Sequence, residues 1–157
     1  MTNPKATLLA RSRAAARLAA VQALYQRDME PTAIRPLLRE FHHHRLGSEI
    51  EGVDYADADA DLFDVIVSGV DERQAELDAV VSAKLSKGWT LARLDRPLAA
   101  ILRAGAWELA HRPDATRATI IAAYLDIAGA FYDKTEKGFA NAVLDAIAKD
   151  VRPDVAG

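Results

Sequence analysis

Three consecutive histidines, His42, His43 and His44, are the most conspicuous metal-ligand candidates in this 157-residue chain. On a helix, sequence neighbours point about 100° apart, so the three cannot close on one ion from one face. A fourth ligand would have to come from His111 or an acidic loop. The run reads instead as a solvated, pH-responsive helix end. Asp57, Asp59 and Asp61 alternate as at the opening of a calcium loop, but the sixth position is Leu62 rather than glycine and the twelfth is Ser68 rather than glutamate. These carboxylates are expected to cap a helix start and complement its dipole. Nucleophilic catalysis lacks its parts, since there is no cysteine, no Gly-x-Ser-x-Gly elbow and no phosphate-cradling glycine loop. The chain reads as a non-enzyme with no metal and no cofactor.

Charge distribution is more informative. From Met1 through Arg27 there are five basic residues, Lys5, Arg11, Arg13, Arg17 and Arg27, and no acidic one. The net charge of the whole chain is −3, so the remainder is acidic. A cationic end on an acidic body is the electrostatic footprint of one anionic partner. Arg13 and Arg17, four apart, share a helix face. Arg11 and Gln22 project near the other flank, and Tyr25 adds an aromatic ring suited to stacking on bases. Lys137, Phe139 and Asn141 form a second polar and aromatic patch, in which Phe139 also suits a core.

The elements that must position these residues are helices. Half of the residues are apolar and about a fifth are alanine, while aromatics are few. With no apolar run long enough to span a membrane, no apolar signal region and no cysteine, the expectation is a cytoplasmic all-α domain. Residues 1–7 read as a flexible arm, 8–152 as a helical core and 153–157 as a tail. The first helix runs from about Leu8 to Met29, with Ala14, Leu18, Val21 and Tyr25 as its buried stripe. Thr32 caps a second that Gly47 stops, and 47–57 is a loop. A long pattern from Ala58 to Leu85 is expected to bend or break at Gly69. Asp95 and Pro97 open a central helix that ends at His111. Another spans Arg117 to Tyr132, and Thr135 caps a last one ending near Val151.

Three stretches carry a family resemblance. Arg13-Ala-Ala-Ala-Arg17-Leu-Ala-Ala-Val-Gln22-Ala-Leu-Tyr25-Gln26, the helix around Ile101-Leu102-Arg103 and Trp107-Glu108-Leu109, and Phe139-Ala-Asn141-Ala-Val-Leu144-Asp145 stand in order between about residues 11 and 153. Together they resemble the NusB family of transcription antitermination factors. The resemblance implies a compact seven-helix fold of two helical subdomains. It implies binding to the single-stranded boxA element of nascent ribosomal RNA transcripts as a heterodimer with NusE, a small-subunit ribosomal protein, so that RNA polymerase resists termination. Arg13, Arg17 and Tyr25 match positions at the family's RNA-binding end, and Phe139 matches one at or near the RNA and NusE surface. Arg11, Gln22 and Lys137 join them on charge and geometry.

The family usually has glutamate where this chain has Leu98, often Asn-Glu where it has Ala122 and Ala123, and glycine where it has Ala142. The NusE contacts are therefore open. A similar domain opens an rRNA cytosine methyltransferase, whose cofactor domain a chain ending at Gly157 is expected to lack. The alternative reading is a helical protein–protein adaptor without RNA binding. Its mark would be a basic margin consumed by salt bridges to Asp57–Asp64. A homodimer that hides the arginine helix is a further alternative.

Overall fold

A computed structural model describes residues 4–44, 46, 49–50, 53–54 and 58–153. Among them are seven α-helices: α1 (Pro4–Met29), α2 (Ile34–His44), α3 (Ala60–Glu72), α4 (Gln74–Ser82), α5 (Arg96–His111), α6 (Arg117–Phe131) and α7 (Lys134–Val151). A two-residue antiparallel hairpin, β1 (Glu49–Ile50) with β2 (Val53–Asp54), interrupts the expected loop. A single 3-10 turn, Leu91–Arg93, precedes α5. The all-α class stands. No helix among the described residues is long and apolar enough to cross a membrane.

The chain divides into two compact units, Met1–Ser68 and Gly69–Gly157, at a boundary inside α3. In the first unit, α1 contributes mainly alanine to the buried set (Ala16, Ala19, Ala20 and Ala23) beside Val21 and Leu24. Leu37 and Phe41 come from α2, and Phe63 and Ile66 from α3. Phe41 stacks on Phe63 with ring centroids 5.3 Å apart. The start of α3 is tied to α1 by the Asp59 N–H, which donates to the Ser12 carbonyl at 3.1 Å.

In the second unit α5 is central, packed by α4, α6 and α7. Eleven of its sixteen residues are buried, from Leu98 through Leu109 except Arg103. A helix apolar on nearly all sides must be enclosed. One of the buried residues is Glu108, with no exposed surface. It accepts from the Tyr124 hydroxyl of α6 at 2.6 Å and from the Arg112 guanidinium at 3.0 Å. Arg152, just after α7, donates to the carbonyls of Glu108, Leu109, Arg112 and Ala115 at 2.7–3.2 Å. It thereby serves the Leu109 carbonyl at the end of α5 and carbonyls of the turn that follows. At the other end of α5, Asp95 occupies the cap position but its side chain makes no capping bond. The Leu98 N–H donates instead to the Tyr132 hydroxyl at 3.1 Å.

Several boundaries differ from expectation. The arm is shorter, because α1 already begins at Pro4, a residue suited to a first turn. Residues 1–3 and 154–157, the expected tail beyond Pro153, and Gly47 lie outside the described residues. The second helix begins at Ile34 and ends at His44, before the Gly47 expected to stop it. The long pattern does break, but at Arg73 and not at Gly69. Gly69 stays helical inside α3, because a Cβ there would overlap the Trp107 indole. Its smallness admits a ring instead of bending a helix. The N-cap position of the last helix is Asp133, two residues before Thr135, and its side chain makes no capping bond.

Gly69→Ala should destabilise the protein by about 1–3 kcal/mol through overpacking against Trp107. Tyr124→Phe removes one donor from a fully buried carboxylate and should cost about 1–3 kcal/mol. Urea unfolding followed by circular dichroism checks both, and an unchanged midpoint in either variant would contradict the packing described.

Candidate nucleic-acid interface

The orientation of α1 decides which basic side chains can meet a ligand. At about 100° per residue, positions separated by three, four or seven share a face. Ala16, Ala20, Ala23 and Leu24 define the buried face. Arg13 and Arg17 lie on that side, in register with Ala20 and Leu24. Arg13 is half-buried and Arg17 is only 4% exposed and partnered. The opposite face carries Arg11, Leu18, Gln22 and Tyr25, of which Arg11 is exposed and the others half-buried. The expected stripe was therefore placed on the wrong side. Ala14 is exposed, Leu18 and Tyr25 are half-buried, and only Val21 is in the core. Arg17, expected to neutralise phosphate, is a buried cation within α1's packed face. Arg11, Gln22 and Tyr25 are brought together on one outward strip.

Further along α1, Gln26 donates to the Glu40 carboxylate at 3.2 Å, and Arg27 donates to the Thr32 carbonyl at 3.2 Å. Both therefore tie α1 to the segment that follows it. Asp59 and Asp64, of the acidic stretch that could have matched the basic margin, are used otherwise. Asp59 accepts from the Leu62 N–H at 3.0 Å, the capping role expected of it. Asp64 pairs with His42 Nε2 at 2.6 Å. Asp57 lies outside the described residues. Neither Asp59 nor Asp64 reaches the α1 arginines, so they do not supply the mark of the adaptor reading.

The histidines diverge as their spacing implies. His42 turns to Asp64 and sets its ring edge toward Phe63 at 6.0 Å, while His43 is exposed. The His44 side chain lies outside the described residues. Among the described residues no three His, Cys, Asp or Glu side chains converge as metal ligands.

The second patch belongs to the other unit. Lys137 and Asn141 are exposed one turn apart on α7. The Lys137 chain runs toward Gly129 of α6, whose added Cβ would stand 3.8 Å from Nζ. Phe139 is half-buried and lines a groove with Trp89 and Leu98. Trp89, half exposed, is the residue that sequence reasoning passed over. The signal was a tryptophan directly after glycine in a connector. Two residues of the quoted stretches are structural. Arg103 pairs with Asp78 of α4 at 2.7 Å. Asp145 pairs with Arg117 of α6 at 2.7 Å and Lys149 at 3.1 Å.

The Lys149 ammonium and the Arg117 guanidinium, through their hydrogen bonds, hold the Asp145 carboxyl below its ordinary value of 3.8. A folded-state value below the unfolded one adds stability that is complete above the unfolded value and lost as pH falls through the folded one. Below about pH 4 the parent should therefore lose stability more steeply than Asp145→Asn, measured as thermal midpoint against pH. Parallel curves would remove Asp145 from the acid response.

The NusB family model matches residues 14–149. The transcription antitermination protein NusB of Novosphingobium aromaticivorans is 58% identical over 142 residues, covering 90% of this chain and 96% of that protein. The protein of the same name in Sphingopyxis alaskensis is 56% identical over 143 residues, covering 91% and 96%. A chain in a solved structure of the antitermination factors NusB and NusE with double-stranded RNA matches with a TM-score of 0.73. It is 23% identical and covers 89% of this chain and 98% of that one, a likeness of fold. The chain belongs to the NusB family of transcription antitermination proteins, which are not enzymes.

Proposed function

We propose that this antitermination protein binds RNA through the outward strip of α1 and the start of α7, and that it does so together with NusE. The observation that carries the reading is the outward strip itself, where exposed Arg11 and half-buried Gln22 and Tyr25 share one side of α1 in a stretch with no acidic residue before Asp28. Arginine can meet phosphate bidentately, glutamine can bond base edges, and tyrosine offers a stacking face or a hydroxyl. Arg13, half-buried, supplies a second phosphate contact. Lys137 provides a cation and Phe139 a ring on α7. Arg17 supports the helix from within. The RNA is the single-stranded boxA element of nascent ribosomal RNA, and the assembled complex acts on transcribing RNA polymerase in the cytoplasm. The structure of NusB and NusE with double-stranded RNA among the fold neighbours supports NusE and RNA as the partner classes.

Fluorescence anisotropy of a labelled boxA-type RNA, titrated with the chain alone and with NusE at two salt concentrations, tests the reading. Binding should be salt-sensitive, tightened by NusE and absent with a scrambled RNA. No binding from folded protein would overturn it. Arg11→Ala and Arg13→Ala should each flatten the salt dependence by ~1 unit of slope or less while leaving the melting temperature unchanged. Arg17→Ala should instead lower the melting temperature, because it removes a packed and partnered cation. An unchanged slope in the Arg11 variant would take that residue out of the interface.

A further inference from the structure

Helix α2 sorts its side chains by phase. At about 100° per residue, Ile34, Leu37, Leu38 and Phe41 fall on one side, with Leu37 and Phe41 in the core. Arg35, Arg39 and His43, four residues apart, fall on the opposite side, and all three are exposed. Both margins of the helix are occupied. Glu40 accepts from Gln26 of α1 at 3.2 Å, and His42 meets Asp64 of α3 at 2.6 Å. What remains toward solvent is a line of basic side chains spaced about 6 Å along the axis. Arg35 and Arg39 have no hydrogen-bond or ion-pair partner among the described residues.

The seam with α1 sets this line beside the outward strip. Gln26 stands one turn after Gln22 and next to Tyr25, at the edge of that strip. Glu40 stands one residue from Arg39 and three from His43, at the edge of the α2 line. Their contact has the core of the first unit on one side and solvent on the other, so the two outward faces adjoin across it. The seam also engages Glu40, the one acidic residue of α2. None of the exposed large apolar side chains among the described residues lies on α2. A protein interface concentrates its energy on apolar and aromatic anchors, which this face lacks, whereas a phosphate backbone asks only for cations.

We propose that the outward face of α2 is a phosphate track for single-stranded RNA continuing off the α1 strip. Arg35 and Arg39 each meet a phosphate of the nucleotides that flank the element held by α1. Such contacts carry no base information, so the track lengthens the footprint on the RNA without narrowing its sequence preference. The inference rests on the reading that α1 binds RNA.

The test compares a labelled boxA-type RNA with the same RNA extended by an unstructured oligouridine tail at either end. Each is titrated with the parent chain and with Arg35→Gln/Arg39→Gln at several salt concentrations. Both arginines are exposed and glutamine is as good a helix former, so the variant keeps the fold, checked by thermal melting. One of the two tails should tighten binding to the parent severalfold and steepen its salt dependence by about 1.4 units of slope, the amount for two single-strand phosphates. The variant should lose that gain and bind the bare element as the parent does. A parent that gains nothing from either tail, or a variant that keeps the gain, would overturn the track and leave the reading of α1 intact. Equal weakening of the bare element in the variant would place the arginines in the site on α1 and overturn a separate track. A parent that binds none of these RNAs would overturn the RNA reading and this inference with it.

Discussion

A carboxylate with no exposed surface sets the order of the second unit. Removing Glu108 from water carries a desolvation penalty of several kcal/mol, which only close and well-aimed partners offset. Those partners come from separate parts of the chain: Arg112 just beyond its own helix and Tyr124 from α6. Arg152, after α7, reaches the carbonyl of the same residue. The buried charge thus tolerates only one registration of α5 against α6 and the end of α7. Tyr132, one residue past α6, then falls where its hydroxyl takes the Leu98 N–H, so α6 fixes the start of α5 as well. Asp133 follows directly at the N-cap position of α7, which carries Lys137 and Phe139. The position of the second patch is therefore a consequence of a polar knot that itself touches no ligand.

The first unit solves a different problem. Helix α1 buries small side chains, which let a neighbouring helix approach closely but give up little apolar area each. One long cation, Arg17, enters the same face. A buried guanidinium is tolerated when its stem packs and its head is paired. Positive charge on α1 is thereby divided between a structural role at Arg17 and an outward one at Arg11. The division follows from helical phase alone, since both residues have the same chemistry.

That phase was the part of the candidate site hardest to read in the sequence. Hydrophobic stripes are located by bulky side chains, and in α1 the bulkiest, Leu18 and Tyr25, lie half exposed, while the true core face is mostly alanine. Alanine is selected there for smallness, which carries no amphipathic signal. Gly69 misled for a related reason. Glycine marks both helix breaks and close approach, and only the position of Trp107 tells which applies. The start of α5 was legible because Pro97 is a local instruction, whereas the cap of α6 at Thr116, which accepts the Thr119 N–H, was not read from the sequence. The capping carboxylate of Asp59 was legible too. The groove beside Trp89 was not legible, because it depends on a connector brought to α7 by tertiary packing.

The two candidate surfaces differ in kind. The strip on α1 offers arginine, glutamine and tyrosine from a segment without acidic residues, a set that matches phosphate and unpaired bases. The groove by Trp89 offers an indole, the Phe139 ring and the carboxylates of Asp95 and Glu136, so it is apolar and acidic where the strip is cationic. A chain of nearly balanced total charge would attract neither partner strongly as a whole. Each unit is therefore read by its own local set of side chains and not by the charge of the whole chain.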